Sequence, residues 1–234
     1  VNSPFFASKN SQLTGLNMRH FLTLFDIDQA ELQSILSLGD QVKKLLEKGQ
    51  RPLLLPQQIL SMLFEKPSLR TRVSFDAGFS QLGGTAMFLG EEVGWGKREP
   101  TGDFIQVLAH YADYVVCRAK SHAAVEQLAS LDCVPIINGL TDYSHPCQAL
   151  ADLMTIIEAG GQQGSVVTFV GDGNNVACSL ALAAAMTGME FRLLGPAAYR
   201  MPEKFRGGIE AKYPQAKITE TEDANAALDG AAFV

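Results

Sequence analysis

Five consecutive residues, Ser68-Leu69-Arg70-Thr71-Arg72, bring together two hydroxyls and two guanidinium groups. Hydroxyl donors and planar guanidinium forks are the side chains that hold a phosphate or another dianion. Glu65-Lys66-Pro67 precedes them as a loop after the short apolar run 59–64, and a helical pattern follows. The five residues therefore open a helix where a strand ends, and a helix start adds unpaired N–H groups and the positive end of a dipole. A plainer reading of the same residues is that Ser68 caps the helix and both arginines lie in solvent. Arg118 follows the run 114–117, and His145-Pro146-Cys147-Gln148 opens a later helix after the run 134–137. Taken alone, His145 reads as a helix-capping histidine. Three strand ends presenting Arg, His and Gln toward one crevice favour a site, because open parallel sheets bind ligands at that edge.

The elements that must position these residues alternate strand and helix. Apolar residues at helical spacing cover 28–46, with Asp28 and Glu31 placed as a capping box. The expected order continues with a strand at 59–64, a helix at 68–82 ended by Gly83-Gly84, and a strand at 85–89. A loop at 90–99 carries Trp95. A helix at 101–111, a strand at 114–117, a short helix around Val125 and a strand at 134–137 complete the first half. A helix at 145–159, a strand at 165–170, a helix at 175–186 and a strand at 190–194 follow. The alternation predicts an α/β protein with two doubly wound parallel-sheet domains joined by the helix at His145. The expected division is 1–149 and 150–234, the second domain being incomplete.

Composition narrows the function classes. Hydrophobic residues make up 47% and charged residues 19% of 234, which describes a globular chain rather than a disordered one. A net charge of −6 speaks against non-specific nucleic-acid binding. The longest apolar stretch, 180–186, is far too short for a membrane span. Residues 1–10 show no basic region followed by an apolar core, so no secretory signal is expected. Cys117, Cys133, Cys147 and Cys178 form no CxxC pair and lie in or beside apolar runs. Buried free thiols in a reducing cytoplasm are expected, rather than a disulfide framework or a structural zinc.

SLRTR at 68–72 and HPCQALAD at 145–152 resemble the signature motifs of the aspartate/ornithine carbamoyltransferase family, and GDGNN at 171–175 looks like its ornithine branch. The resemblance runs from about Asn17 to the last residue, with the motifs in order and in register. It implies transfer of the carbamoyl group of carbamoyl phosphate to the side-chain amine of L-ornithine, with phosphate released, in arginine metabolism. Ser68, Leu69 (through its backbone N–H), Arg70, Thr71 and Arg72 would form the phosphate cradle. Arg118 would bridge the phosphate and the carbamoyl oxygen. His145 and Gln148 would hold the carbamoyl group, and Asn175 the α-amino and carboxylate end of the acceptor, with Asn174 the weaker candidate. The resemblance further implies no metal or organic cofactor, and a homotrimer or a multiple of trimers. An acylated ornithine as acceptor and a non-catalytic scaffold that keeps the fold are the alternatives.

GDGNN also follows a strand and opens a helix, as a dinucleotide-binding loop does. That fingerprint needs a third glycine where this chain has Val176, and an acidic residue after the next strand, which ends in Gly195-Pro196. Two positions depart from the family pattern. Leu69 stands where Thr is usual, and 93–97 lacks the Gln that reaches a neighbouring subunit's substrate. Trp95 or Lys97 would take that role, or the loop stays solvated. The family's Asp with Ser-Met-Gly turn and its His-Cys-Leu-Pro motif lie downstream of Val234, so further sequence is expected beyond it.

Overall fold

The computed structural model describes residues 19–234. The reading of residues 1–10 and the start of the resemblance at Asn17 lie outside them. The first helix, α1 (Gln29–Glu47), begins at the expected capping box: Asp28 accepts from the Glu31 N–H while Glu31 accepts from the Asp28 N–H. β1 (Ile59–Phe64), α2 (Leu69–Gln81), β2 (Thr85–Leu89), α3 (Thr101–Tyr111), β3 (Tyr114–Arg118), α4 (His122–Ser130) and β4 (Ile136–Leu140) follow. The four strands pair in parallel in the order β2-β1-β3-β4. Their Met62, Leu63, Val115, Val116 and Ile136 are fully buried, as strands covered on both faces must be.

α5 (Pro146–Glu158) leads out of the first sheet, and α6 (Asn175–Thr187) packs against it. Residues 177–186 of α6 are buried all round; its alanines allow close approach to Ala149 and Leu153 of α5. β5 (Val166–Val170), β6 (Glu190–Leu194) and β7 (Lys217–Thr221) form the second parallel sheet in that order. Phe233 bridges Val167 on the other side of β5, and Phe21 bridges Ile137 of β4. The chain is thus α/β with two parallel sheets flanked by helices. No helix among the described residues is long and apolar enough to cross a membrane.

The last strand of the first sheet sits two to three residues later than its apolar run. Pro135 has no N–H to give the ladder, so pairing starts at Ile136 and runs into Asn138 and Gly139. Asn138 is fully buried because its amide donates to Leu22 O, Thr141 Oγ1 and Ser144 O. At Gly139 a Cβ would stand 2.9 Å from Val116 Cγ1 and 3.2 Å from Cys117 O, so any side chain there would press on β3. α7 (Glu203–Lys212) and β7 were not expected, and α8 (Ala224–Leu228) precedes the Phe233 bridge. All four cysteines are free, but only Cys117 and Cys178 are fully buried; Cys133 and Cys147 keep partial exposure.

Candidate active site

Ser68 is the N-cap of α2, as the plainer reading held, and its Oγ accepts from the Thr71 N–H at 3.3 Å. The same hydroxyl donates to Thr71 Oγ1 at 3.0 Å, and Arg118 Nη1 donates to that oxygen at 3.2 Å. Thr71 Oγ1 therefore accepts twice, and its own proton remains to donate outward. The N–H groups of Leu69 and Arg70 have no acceptor among the described residues, as expected of a first helical turn. The Leu69 side chain is 78% exposed and contributes nothing to the core, so only its backbone can serve the cradle. Arg70 is exposed and unpaired among the described residues. Arg72 is drawn elsewhere: its guanidinium lies 3.9 Å from the Phe88 ring centroid on β2, a cation–π contact, and it does not join the Ser68–Thr71–Arg118 chain.

Arg118 is the last residue of β3 rather than the residue after it. The β3–β4 register shifts between Cys117 and Arg118, and such an irregularity re-aims a side chain. Among the described residues its partly buried guanidinium has no carboxylate beside it, and its buried Nε has no partner. Burial holds its pKa below the usual arginine value. A desolvated cation without a counter-ion is costly unless an anion arrives.

His145 takes the N-cap position of α5 but makes no side-chain cap bond. Its Nδ1 is buried with no partner among the described residues, and the residue is 9% exposed. Burial, and then the positive charge of Arg118, lower its pKa to about 4. Near neutral pH it is an uncharged imidazole with one N–H to donate. Gln148, one turn further, is exposed and donates Nε2 to Asp152 Oδ1 at 2.8 Å. Cys147 between them donates its Sγ–H to Asn138 O at 3.5 Å, and burial of the sulfur pushes its thiol up to about 12.

Asn175 opens α6, and its Nδ2 donates to Thr141 O across from the β4–α5 connection. That bond leaves Asn175 Oδ1 as an acceptor. Asn174 is spent as the cap of α6, accepting from Val176 N at 2.9 Å and Ala177 N at 3.1 Å. Those amides, and the Gly173 N–H that donates to Tyr199 O at 2.7 Å, are the ones a dinucleotide's pyrophosphate would need. A Cβ at Gly173 would meet the Met201 N at 2.3 Å, so this glycine serves close packing against 200–201. The dinucleotide reading has no cradle left.

Sequence reasoning missed the polar groups that tie these helix starts together. Ser179 Oγ accepts from the His145 N–H at 2.9 Å, donates to Asn175 O at 2.7 Å and lies 3.1 Å from Ser144 Oγ. Ser179 thereby links the backbone under His145 to that under Asn175. Thr141, fully buried, contacts Asn138 and the His122 ring as well. A serine and a threonine inside apolar stretches were the only signal available. Trp95 does not point outward to another subunit: it is buried against the core that holds Leu63, Phe104 and Ile105, while Lys97 is exposed.

Comparison with known proteins matches the chain along nearly its whole described length. The profile of the aspartate/ornithine carbamoyltransferase carbamoyl-P binding domain matches residues 19–158, and that of the Asp/Orn binding domain matches 163–234. The ornithine carbamoyltransferase of Wolinella succinogenes is 42% identical over 220 residues, which span 93% of this chain and 72% of that protein. That of Bacillus anthracis is 43% identical over 227 residues, 95% of this chain and 71% of the relative. Among solved structures, ornithine carbamoyltransferase from Pyrococcus furiosus superimposes with a TM-score of 0.87 at 38% identity, covering 92% of this chain and 70% of that one. The anabolic enzyme from Campylobacter jejuni gives 0.81 at 33% identity, covering 90% and 70%.

Proposed function

Because the chain belongs to the aspartate/ornithine carbamoyltransferase family, we propose that it moves the carbamoyl group of carbamoyl phosphate onto the side-chain amine of L-ornithine, giving L-citrulline and phosphate in arginine metabolism. The observation that carries this reading is the partly buried, carboxylate-free Arg118, bonded to Thr71 at the start of α2 and close enough to His145 to depress its pKa.

In the reaction the neutral amine attacks the carbonyl carbon, a C–N bond forms, the C–O bond to phosphate breaks, and the proton the amine loses passes to the departing phosphate. Negative charge grows on the carbonyl oxygen and on the departing phosphate. The Leu69 and Arg70 N–H groups, the Thr71 hydroxyl and the Arg70 guanidinium face the phosphate, Ser68 holds the Thr71 hydroxyl in place, and Arg72 adds charge from its place on Phe88. Arg118 spans phosphate and carbonyl oxygen. His145, uncharged, donates its N–H to that oxygen, and Gln148 meets the carbamoyl nitrogen. Donors fixed where charge develops lower the barrier, because they need no reorganisation during the reaction. Holding both reactants in contact supplies much of the rest. Asn175 Oδ1 accepts from the α-ammonium of the acceptor. Residues 1–149 then bind carbamoyl phosphate, 150–234 contribute to the amino-acid side, and no metal or organic cofactor takes part.

Phosphate release with carbamoyl phosphate and L-ornithine tests this. Ornithine-dependent release with equimolar citrulline is expected, and N-acetyl- and N-succinyl-ornithine should be poor acceptors. Carbamoyl phosphate binding with no ornithine-dependent turnover would leave a binding module instead. The chain is further proposed to act as a cytoplasmic homotrimer or a multiple of trimers. Light scattering should give a molar mass that is a multiple of three chains, and a stable monomer at micromolar concentration would contradict it.

A further inference from the structure

Gln148 and Asp152 stand one turn apart on α5, and the 2.8 Å bond from Gln148 Nε2 to Asp152 Oδ1 has a consequence for specificity. A carboxylate only accepts, so the NH2 end of the Gln148 amide must face Asp152 and its carbonyl end must face away. Asp152 is a poor place for a carboxylate unless that task needs it. It is half-buried, and among the described residues no cation pairs with it and no other donor reaches it. Burial lifts its pKa, and the Gln148 bond opposes the rise.

We propose that Asp152 is a specificity-determining positioning residue: it locks the Gln148 amide so that Oε1 is presented to the carbamoyl nitrogen, and the site thereby selects an acyl phosphate whose acyl group carries N–H donors. A flipped amide would set NH2 against NH2. An unanchored one would lose side-chain freedom on binding. The inference rests on the reading above that Gln148 meets the carbamoyl group. It adds the direction of the hydrogen bond and the residue that sets it.

Acetyl phosphate isolates the effect, because it has the same phosphate and carbonyl but a methyl group in place of NH2. Calorimetric titrations of the full chain with carbamoyl phosphate, acetyl phosphate and inorganic phosphate are compared with those of Asp152→Ala and Asp152→Asn. The wild type should prefer carbamoyl over acetyl phosphate by about tenfold, the worth of one hydrogen bond. Asp152→Ala should cut that preference about five- to tenfold, and Asp152→Asn, which still offers an acceptor, by less. Removing a negative charge shifts all three phosphates alike and leaves the ratio untouched, so the ratio is the readout. Inorganic phosphate binding by each variant shows that the cradle is intact. An Asp152→Ala ratio equal to that of the wild type overturns the inference, as does a wild type without preference. No carbamoyl phosphate binding by the wild type would instead overturn the proposed function.

Discussion

Replacing Arg118 with Met should lower kcat/KM for carbamoyl phosphate by about a thousandfold while the unliganded protein melts at the same temperature or higher. The guanidinium is partly buried, bonded to Thr71 Oγ1 and faced by no carboxylate, so the free protein carries the cost of a desolvated charge without its compensation. Loss of one buried, hydrogen-bonded charge from a charge pair with its ligand costs about 2–5 kcal/mol, and the upper part of that range gives the thousandfold loss. Met keeps much of the apolar stem and removes the charge, which is why stability should not fall. Steady-state kinetics with thermal melts decides the matter. A variant with nearly normal kcat/KM would show that Arg118 does not touch the reacting groups. A large drop in melting temperature would show that the charge is structurally compensated after all. The same variant should raise the His145 pKa toward its ordinary value, because the positive charge of Arg118 is the second cause of its depression.

His145→Ala should lower kcat by about a hundred- to a thousandfold, the usual effect of removing one donor to a developing oxyanion, with a smaller change in KM for carbamoyl phosphate. A comparable rise in KM at unchanged kcat would make His145 a binding residue alone. The pH dependence follows from its burial. The imidazole falls from an ordinary 6.5 unfolded to about 4 folded, so between those values the unfolded chain binds a proton that the folded chain does not. Its contribution to stability is therefore fully present above pH 6.5, and falls as pH drops toward 4, by up to about 3 kcal/mol. Denaturant unfolding at several pH values should show the wild type losing more stability than His145→Ala over this window. Parallel curves would mean that the imidazole is not held neutral by the fold. The kcat/KM profile of the free enzyme from pH 6 to 8 should carry no inflection from His145.

The strand ends were legible because they combine two independent signals: an apolar run that stops, and polar or charged residues opening a helical pattern. That combination placed Ser68, Arg118 and His145 at one sheet edge, and α2, β3 and α5 lie where it put them to within a residue or two. Side-chain partners were less legible. Arg70 and Arg72 are the same residue type two positions apart, yet only the folded sheet brings Phe88 beneath Arg72. Trp95 lies in a loop, as its two glycine neighbours indicate, but its neighbours in sequence do not show that the ring is buried. The strand at 134–137 runs on into Asn138 and Gly139, because backbone carbonyls accept from the Asn138 NH2 and β3 leaves little room for a Cβ at Gly139. α7 was obscured by Gly207-Gly208, which weaken a helical pattern, and β7 by its single strongly apolar residue, Ile218. The Ser144–Ser179–Asn175 link joins groups more than thirty positions apart, and periodicity carries no trace of it.

The central claim is that the starts of α2 and α5 and the end of β3 form one site for carbamoyl phosphate. A calorimetric titration of the full chain with carbamoyl phosphate, repeated with Arg118→Met and Arg70→Ala, tests it most directly. Saturable binding of one molecule per chain is expected, competed by inorganic phosphate and weakened at least a hundredfold in folded Arg118→Met. No binding by the wild type, or binding that both variants retain unchanged, would contradict it.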